Sequence, residues 1–253
     1  MSLGNIRTQY YFVNGVANTN KSGKNHTDKI KKILQKSLRF DPNSISIKFH
    51  HNYSTPVDSI IIDVLFGIIG LITVVYFFYK ERKGEGNINS RILGALGAIF
   101  TIAALWDYNL IQKEKNQIAR DLVESVSRFL DKNKLNTANL ILHSQGADIG
   151  YRALFLLNSY KHRIKTLTLG AMVTIPDDFC LRVTNYKFSN DLVSEAAAGI
   201  FEGAASINDG MARRKIIYLK GKGMNTHGVK EYLEESSVKN ALLDTLSPLS
   251  FCF

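Results

Sequence analysis

Apolar positions along this chain follow two rhythms, and the change from one to the other marks its elements. Short apolar or alternating runs read as strands: QYYFV (9–13), SISIKFH (44–50, alternating, after the Asp41-Pro42-Asn43 turn) and ANLILH (138–143). KTLTLGAM (165–172), LRVTNYKF (181–188) and KIIYLK (215–220) belong with them. Between these runs the apolar residues fall at helical spacing. Ile30, Ile33, Leu34 and Leu38 share one face over 24–40, and Ile111, Ile118, Leu122, Val126 and Leu130 share one over 107–132. ADIGYRALFLLNSY gives a further helix over 147–160, and GVKEYLEESSVKNALLDTL (228–246) closes the chain as one or two helices. Strands alternating with helices predict an α/β fold, a mostly parallel sheet covered by helices on both faces.

One stretch breaks the alternation. SIIIDVLFGIIGLITVVYFFY (59–79) is nearly continuous apolar sequence broken by one acid, Asp63, and as a helix it would be about 31 Å long, the depth of a bilayer's hydrocarbon core. KERKGEGNINS (80–90) separates it from RILGALGAIFTIAALW (91–106), whose clean apolar part is about 22 Å long. Gly67, Gly70, Gly94, Gly97 and Ala98 would let two helices approach closely. Tyr76, Tyr79 and Trp106 sit where interfacial aromatics belong. Residues 57–106 therefore read as a hydrophobic helical hairpin inserted into a domain made of 1–56 and 107–253. A membrane anchor, spanning or re-entrant, is the favoured reading, and a buried helical pair or a greasy lid is the alternative. Lys80, Arg82, Lys83 and Arg91 inside the hairpin balance Lys48, Lys113, Lys115 and Arg120 outside it, so charge does not orient it. An even number of crossings would return the chain to one side, expected to be the cytoplasmic one.

Composition narrows the classes. The 253 residues are 45% hydrophobic, enough for one α/β domain with a full core. Two cysteines, Cys180 and Cys252, with no CxxC spacing, argue against a disulfide framework or a zinc site. Cys180 reads as a small buried apolar residue. MSLGNIRTQY is polar and does not read as a secretory signal. The net charge of +10 suits an anionic lipid surface; the Lys and Arg residues read as scattered, so no nucleic-acid partner is expected.

The chemistry gathers around LILHSQGADIG (140–150), where a strand runs into His143-Ser144-Gln145-Gly146 and then a helix. A sharp strand–turn–helix needs a glycine where the helix passes the strand, and Gly146 stands there. The stretch resembles the nucleophile elbow of the α/β-hydrolase superfamily, G-x-S-x-G, with Leu142 in place of the first glycine. That resemblance implies a chain order of nucleophile, acid and histidine, each after a later strand. It points to Ser144, to Asp191 just past LRVTNYKF, and to His227 in the Gly-rich loop after KIIYLK. It further implies oxyanion donors at the Gln145 N–H and at Val16 or Ala17, after the first strand. Asp191 could instead cap a helix starting at Leu192, with Asp177 and Asp178 as reserve acids. His227 is the only histidine after residue 162. His143 and His162 are poorly placed as bases. GVANTNKSGKN looks loosely like a phosphate-binding loop, but its glycine spacing is wrong and Asn25 follows Lys24. His50-His51 has no further ligands at metal spacing.

These readings combine into a membrane-associated serine hydrolase that cleaves a membrane lipid or other hydrophobic acyl ester, using no metal or cofactor. The alternative is a membrane-anchored protein that keeps the scaffold for binding and has lost the chemistry. Oligomeric state is left open.

Overall fold

Among the described residues six parallel strands form the sheet: β1 (Thr8–Val13), β2 (Ser46–His50), β3 (Thr137–His143), β4 (Ile164–Leu169), β5 (Arg182–Phe188) and β6 (Ile216–Leu219). The structure is a computed structural model that describes residues 7–15, 20–37, 46–52, 57–192, 194, 215–221 and 226–245. The strand order is β2-β1-β3-β4-β5-β6. Helices are α1 (Asn20–Ser37), α2 (Val57–Arg82), α3 (Ile88–Asp131), α4 (Gly146–Leu156), α5 (Val229–Glu234) and α6 (Ser236–Asp244). The chain falls into two compact units, residues 53–116 and the remainder.

In the larger unit, β3 and β4 are buried along their whole length, as strands covered on both faces must be. Successive side chains of a strand point to opposite faces, and the two apolar clusters follow that rule. Tyr11, Val13, Leu140 and Leu142 pack with Leu122, Val126 and Leu130 of α3 and with Ile149 and Ala153 of α4. Tyr10, Phe12 and Ile141 pack on the other face with Ile30 and Leu34 of α1 and with Tyr232 and Leu242. The α/β class and the parallel sheet follow from this arrangement.

The chain steps from β1 outward to β2 and then returns to pair β3 with the other side of β1. Strand order reverses there, so the connections leaving the carboxyl ends of β1 and β3 diverge and open a crevice. Val13 is level with Leu142, and His143 with Leu169. Asn14-Gly15 and Ser144 are therefore neighbours at that crevice.

In the smaller unit, α2 and the first part of α3 approach closely at glycines. A Cβ on Gly70 would lie 2.5 Å from the Gly97 carbonyl oxygen, and one on Gly97 would lie 2.6 Å from that of Gly70. Thr101 Oγ1 donates to the Gly97 carbonyl at 2.9 Å, within its own helix. Asn87 and Ser90 cap α3 reciprocally, with Asn87 N–H to Ser90 Oγ at 3.0 Å and Ser90 N–H to Asn87 Oδ1 at 2.9 Å. Large apolar side chains stay exposed on both helices, among them Ile72 (62%), Phe78 (64%) and Ile102 (65%). Among the described residues α3 has the length and composition to cross a membrane.

The helix boundary expected at residue 107 is absent. Polarity changes near Trp106-Asp107, but α3 runs through without a break. No glycine or proline occurs between Ala98 and Asp131, so nothing in the backbone ends the helix where its solvent preference changes. β4 also ends earlier than the apolar run suggests, at Leu169, because Gly170 turns the chain at φ +56°.

Candidate active site

Ser144 is the only non-glycine residue with positive φ among those described, at +54°. That left-handed conformation is disfavoured for serine and persists only where surrounding bonds over-determine it. Here the Ser144 N–H donates to the Leu169 carbonyl at 3.2 Å. The Ser144 carbonyl accepts from Met172 N–H at 3.2 Å and from Ala147 N–H at 3.1 Å. The turn thus hangs between β4 and α4, and it displays the side chain above the end of β3.

Glycines make the turn possible. A Cβ on Gly146 would lie 2.4 Å from the Val13 carbonyl oxygen and 2.8 Å from that of Asn14, both backbone atoms that cannot swing away. One on Gly15 would lie 2.6 Å from Ser144 Cβ. Leu142, standing where the resembled pattern has glycine, is buried, and its side chain fills the space over Gly150: a Cβ there would meet Leu142 Cδ1 at 2.2 Å. Room lost at residue 142 is recovered one helical turn into α4.

Three side chains that lie far apart in sequence meet at this turn. Ser144 Oγ is 2.8 Å from His227 Nε2. His227 Nδ1 is 2.8 Å and 2.9 Å from the two carboxylate oxygens of Asp191. A carboxylate beside Nδ1 assigns the proton to that nitrogen and leaves the Nε2 lone pair to accept from the serine hydroxyl. Asp191 is fully buried, and His227 keeps some exposure.

The acid is held by more than the imidazole. Tyr232 Oη donates to Asp191 Oδ2 at 2.8 Å while accepting the Phe188 N–H at 3.0 Å. Ser194 N–H donates to Asp191 Oδ1 at 3.0 Å, so the carboxylate takes a following backbone N–H while it contacts His227. Burial pushes the Asp191 carboxyl upward, but the hydrogen bond and charge of His227 with the Ser194 and Tyr232 donors outweigh it. The carboxyl is held below its ordinary range.

His143 holds the base. Its Nε2–H donates to the His227 carbonyl at 2.8 Å, and the two rings stand 5.1 Å apart. Burial, reinforced by the neighbouring His227, lowers its pKa to about 3, so the ring stays neutral at physiological pH. A second polar chain links three loops: Asn14 Oδ1 accepts the Asn52 N–H at 2.8 Å, and Asn52 Nδ2 donates to Gln145 Oε1 at 2.9 Å. Nothing in the sequence pattern marks Tyr232 or Asn52 as site residues, and His143 reads there only as a poorly placed base. Tyr232 lies five residues after His227, inside the helix that follows it, and that proximity is its only local signal.

Gln145 precedes α4 in helical conformation, which sets its N–H at the helix amino end beside Ser144. Val16 and Ala17, the other expected oxyanion donors, lie outside the described residues. The reserve acids Asp177 and Asp178 are exposed and do not join the cluster. His162 lies in a 3-10 turn before β4, at the opposite sheet edge. His50 closes β2, where burial lowers its pKa and its ring packs 5.9 Å from Tyr11. Cys180 is buried with its thiol pKa raised to about 11 by desolvation. No group of three His, Cys, Asp or Glu residues placed to hold a metal ion occurs among the described residues.

This constellation can move a proton from a hydroxyl to an imidazole that a buried carboxylate orients, which is the equipment of nucleophilic acyl transfer. No protein-family model and no curated protein matches the chain.

Proposed function

We propose that this protein is a membrane-associated serine hydrolase of the α/β-hydrolase type, acting on acyl esters of lipid-like substrates. One observation carries the reading: His227 bridges Ser144 Oγ and the Asp191 carboxylate at 2.8 Å on each side, on a serine held in a left-handed turn. In the reaction Ser144 Oγ attacks the ester carbonyl as its proton passes to His227 Nε2. Asp191 stabilises the imidazolium, which returns the proton to the departing alkoxide. Water, deprotonated by the same imidazole, then releases the acid from Ser144. Backbone N–H groups at Gln145, and at Val16 or Ala17, are the donors for the tetrahedral oxyanion. The order Ser144, Asp191, His227 after β3, β5 and β6 supports the family reading.

The lipid-like substrate class rests on residues 57–106, the apolar pair read as an inserted anchor. Its exposed isoleucines and phenylalanine, far beyond what a soluble surface tolerates, favour a bilayer over a buried pair. β2 and β3, on either side of it in sequence, belong to one sheet, which supports an even number of membrane crossings.

A fluorophosphonate probe tests the chemistry. The wild type is expected to label covalently and Ser144→Ala not to label. A folded wild type that stays unlabelled would instead establish the rival, a scaffold without activity; Leu142 in place of the elbow's first glycine would suit that rival, but Gly150 leaves room for its side chain.

A further inference from the structure

Six of the 32 Lys and Arg residues fall on α1. That helix holds six lysines against one acid, Asp28, and so carries +5 of the chain's +10. Lys21, Lys24, Lys29, Lys32 and Lys36 are all exposed, and at 3.6 residues per turn they fall within an arc of roughly 140°. Ile30 and Leu34 occupy the opposite side, buried against the sheet. None of the five has an ion-pair partner among the described residues. Lys21, Lys29 and Lys32 line one shallow groove with Asn25 and Asp28. Five exposed lysines against the single Asp28 on one helix face raise self-repulsion and add nothing to the core, and an external anion would relieve that repulsion.

We propose that the outward face of α1 docks on an anionic phospholipid surface. Nucleic acid would want planar guanidinium forks and stacking rings, and this face has neither arginine nor Phe, Tyr or Trp. Lysines are point charges on long stems, suited to many mobile headgroup phosphates at once. Lipid is also the phase that the exposed apolar faces of α2 and α3 favour. The docking face is independent of Ser144 chemistry and separable from the apolar anchor.

The test is flotation of the full-length protein with vesicles of phosphatidylcholine alone or of equal parts phosphatidylcholine and phosphatidylserine. The wild type is expected to prefer the anionic vesicles strongly, and added salt to erase the preference. Lys21→Gln, Lys29→Gln and Lys32→Gln together should reduce that preference on the order of 100-fold, about fivefold for each lysine near an anionic surface. The matched control, Lys132→Gln with Lys134→Gln and Lys161→Gln, removes the same charge from exposed lysines outside α1 and should leave the preference nearly intact. Equal losses in both triple variants, or no anionic preference in the wild type, would overturn the proposal. Retention on DNA at physiological salt that the α1 triple alone abolishes, without lipid preference, would replace lipid by nucleic acid. Binding to neutral vesicles reads the apolar anchor separately: its absence with anionic preference intact would sink the anchor and spare the docking face.

Discussion

Tyr232 shows how a single hydroxyl can set the working range of a site it never enters. It gives its only proton to Asp191 and takes the Phe188 N–H in return. Removing it leaves a buried carboxylate with one donor fewer, and a hydrogen bond to a charged group contributes about 1.5–3 kcal/mol. Tyr232→Phe should therefore lower kcat roughly 10- to 100-fold with KM little changed. Because Asp191 then protonates more readily, the acid loss of activity should begin at higher pH than in the wild type. Asp191→Asn should cost more, roughly 10³- to 10⁴-fold, since the amide selects the wrong imidazole tautomer. Equal kcat in wild type and Tyr232→Phe would show that the hydroxyl is mere packing. His143 has a different consequence. Its folded pKa of about 3 lies below the ordinary 6.5, so the unfolded chain binds a proton there that the native one refuses. Stability from this group is fully present above pH 6.5 and declines as pH falls toward 3, by about 1.4 kcal/mol per pH unit. Burial lowers His26 and His50 too, so they act with the same sign. Urea unfolding of wild type and His143→Gln should thus diverge between pH 6.5 and pH 5, with the shallower slope in the variant.

At the scale of elements, the strand–turn–helix at Ser144 depends on two glycines of unequal stringency. Gly146 faces backbone oxygens, so Gly146→Ala must pry α4 from β1; a loss of about 1–3 kcal/mol and of probe labelling is expected. Gly150 faces only the tip of Leu142, which can turn aside or be trimmed. Gly150→Ala should destabilise the wild type clearly and a Leu142→Ala background much less, a coupling that thermal melts in a double-mutant cycle would read. Additive effects would refute the idea that the two positions share one space. This coupling marks what sequence could and could not disclose. Strands β1, β3 and β4 are legible because a parallel strand buried on both faces must be a short apolar run, and the edge strand β2 because its residues alternate; Ser144, Asp191 and His227 each end a strand or follow one. The compensation of Leu142 by Gly150 is invisible without the packing of α4 on β3. The junction at residue 107 is misread for a related reason: hydropathy reports which solvent a residue prefers, whereas helix continuity is set by backbone propensity, and nothing between Ala98 and Asp131 opposes it. Tyr232 and Asn52 act through partners 41 and 93 positions away, distances at which no local pattern speaks.

For the whole molecule the question is which solvent surrounds residues 53–116. Ile72, Val75 and Ile102 are each more than half exposed and so have little protein packing to lose. In water, lysine at these positions would be close to neutral for folding or would help solubility. In a bilayer, each lysine placed centrally on a lipid-facing helix is penalised by roughly 2.5–3.5 kcal/mol, less where the ammonium can reach the headgroups. Ile72→Lys, Val75→Lys and Ile102→Lys together therefore separate the two environments by several kcal/mol while leaving β1 to β6 untouched. Carbonate-washed membranes should retain the wild type and release a large share of the triple variant. In mild detergent both should label with the fluorophosphonate probe at the same rate, because Ser144, His227 and Asp191 all lie in the other compact unit. If carbonate releases the wild type as readily as the variant, the apolar pair does not anchor the protein, and a lid over a soluble hydrophobic ester becomes its better description. Unaltered labelling in that outcome would still leave the hydrolase standing, since proton transfer from Ser144 to His227 needs the sheet edge and not the membrane.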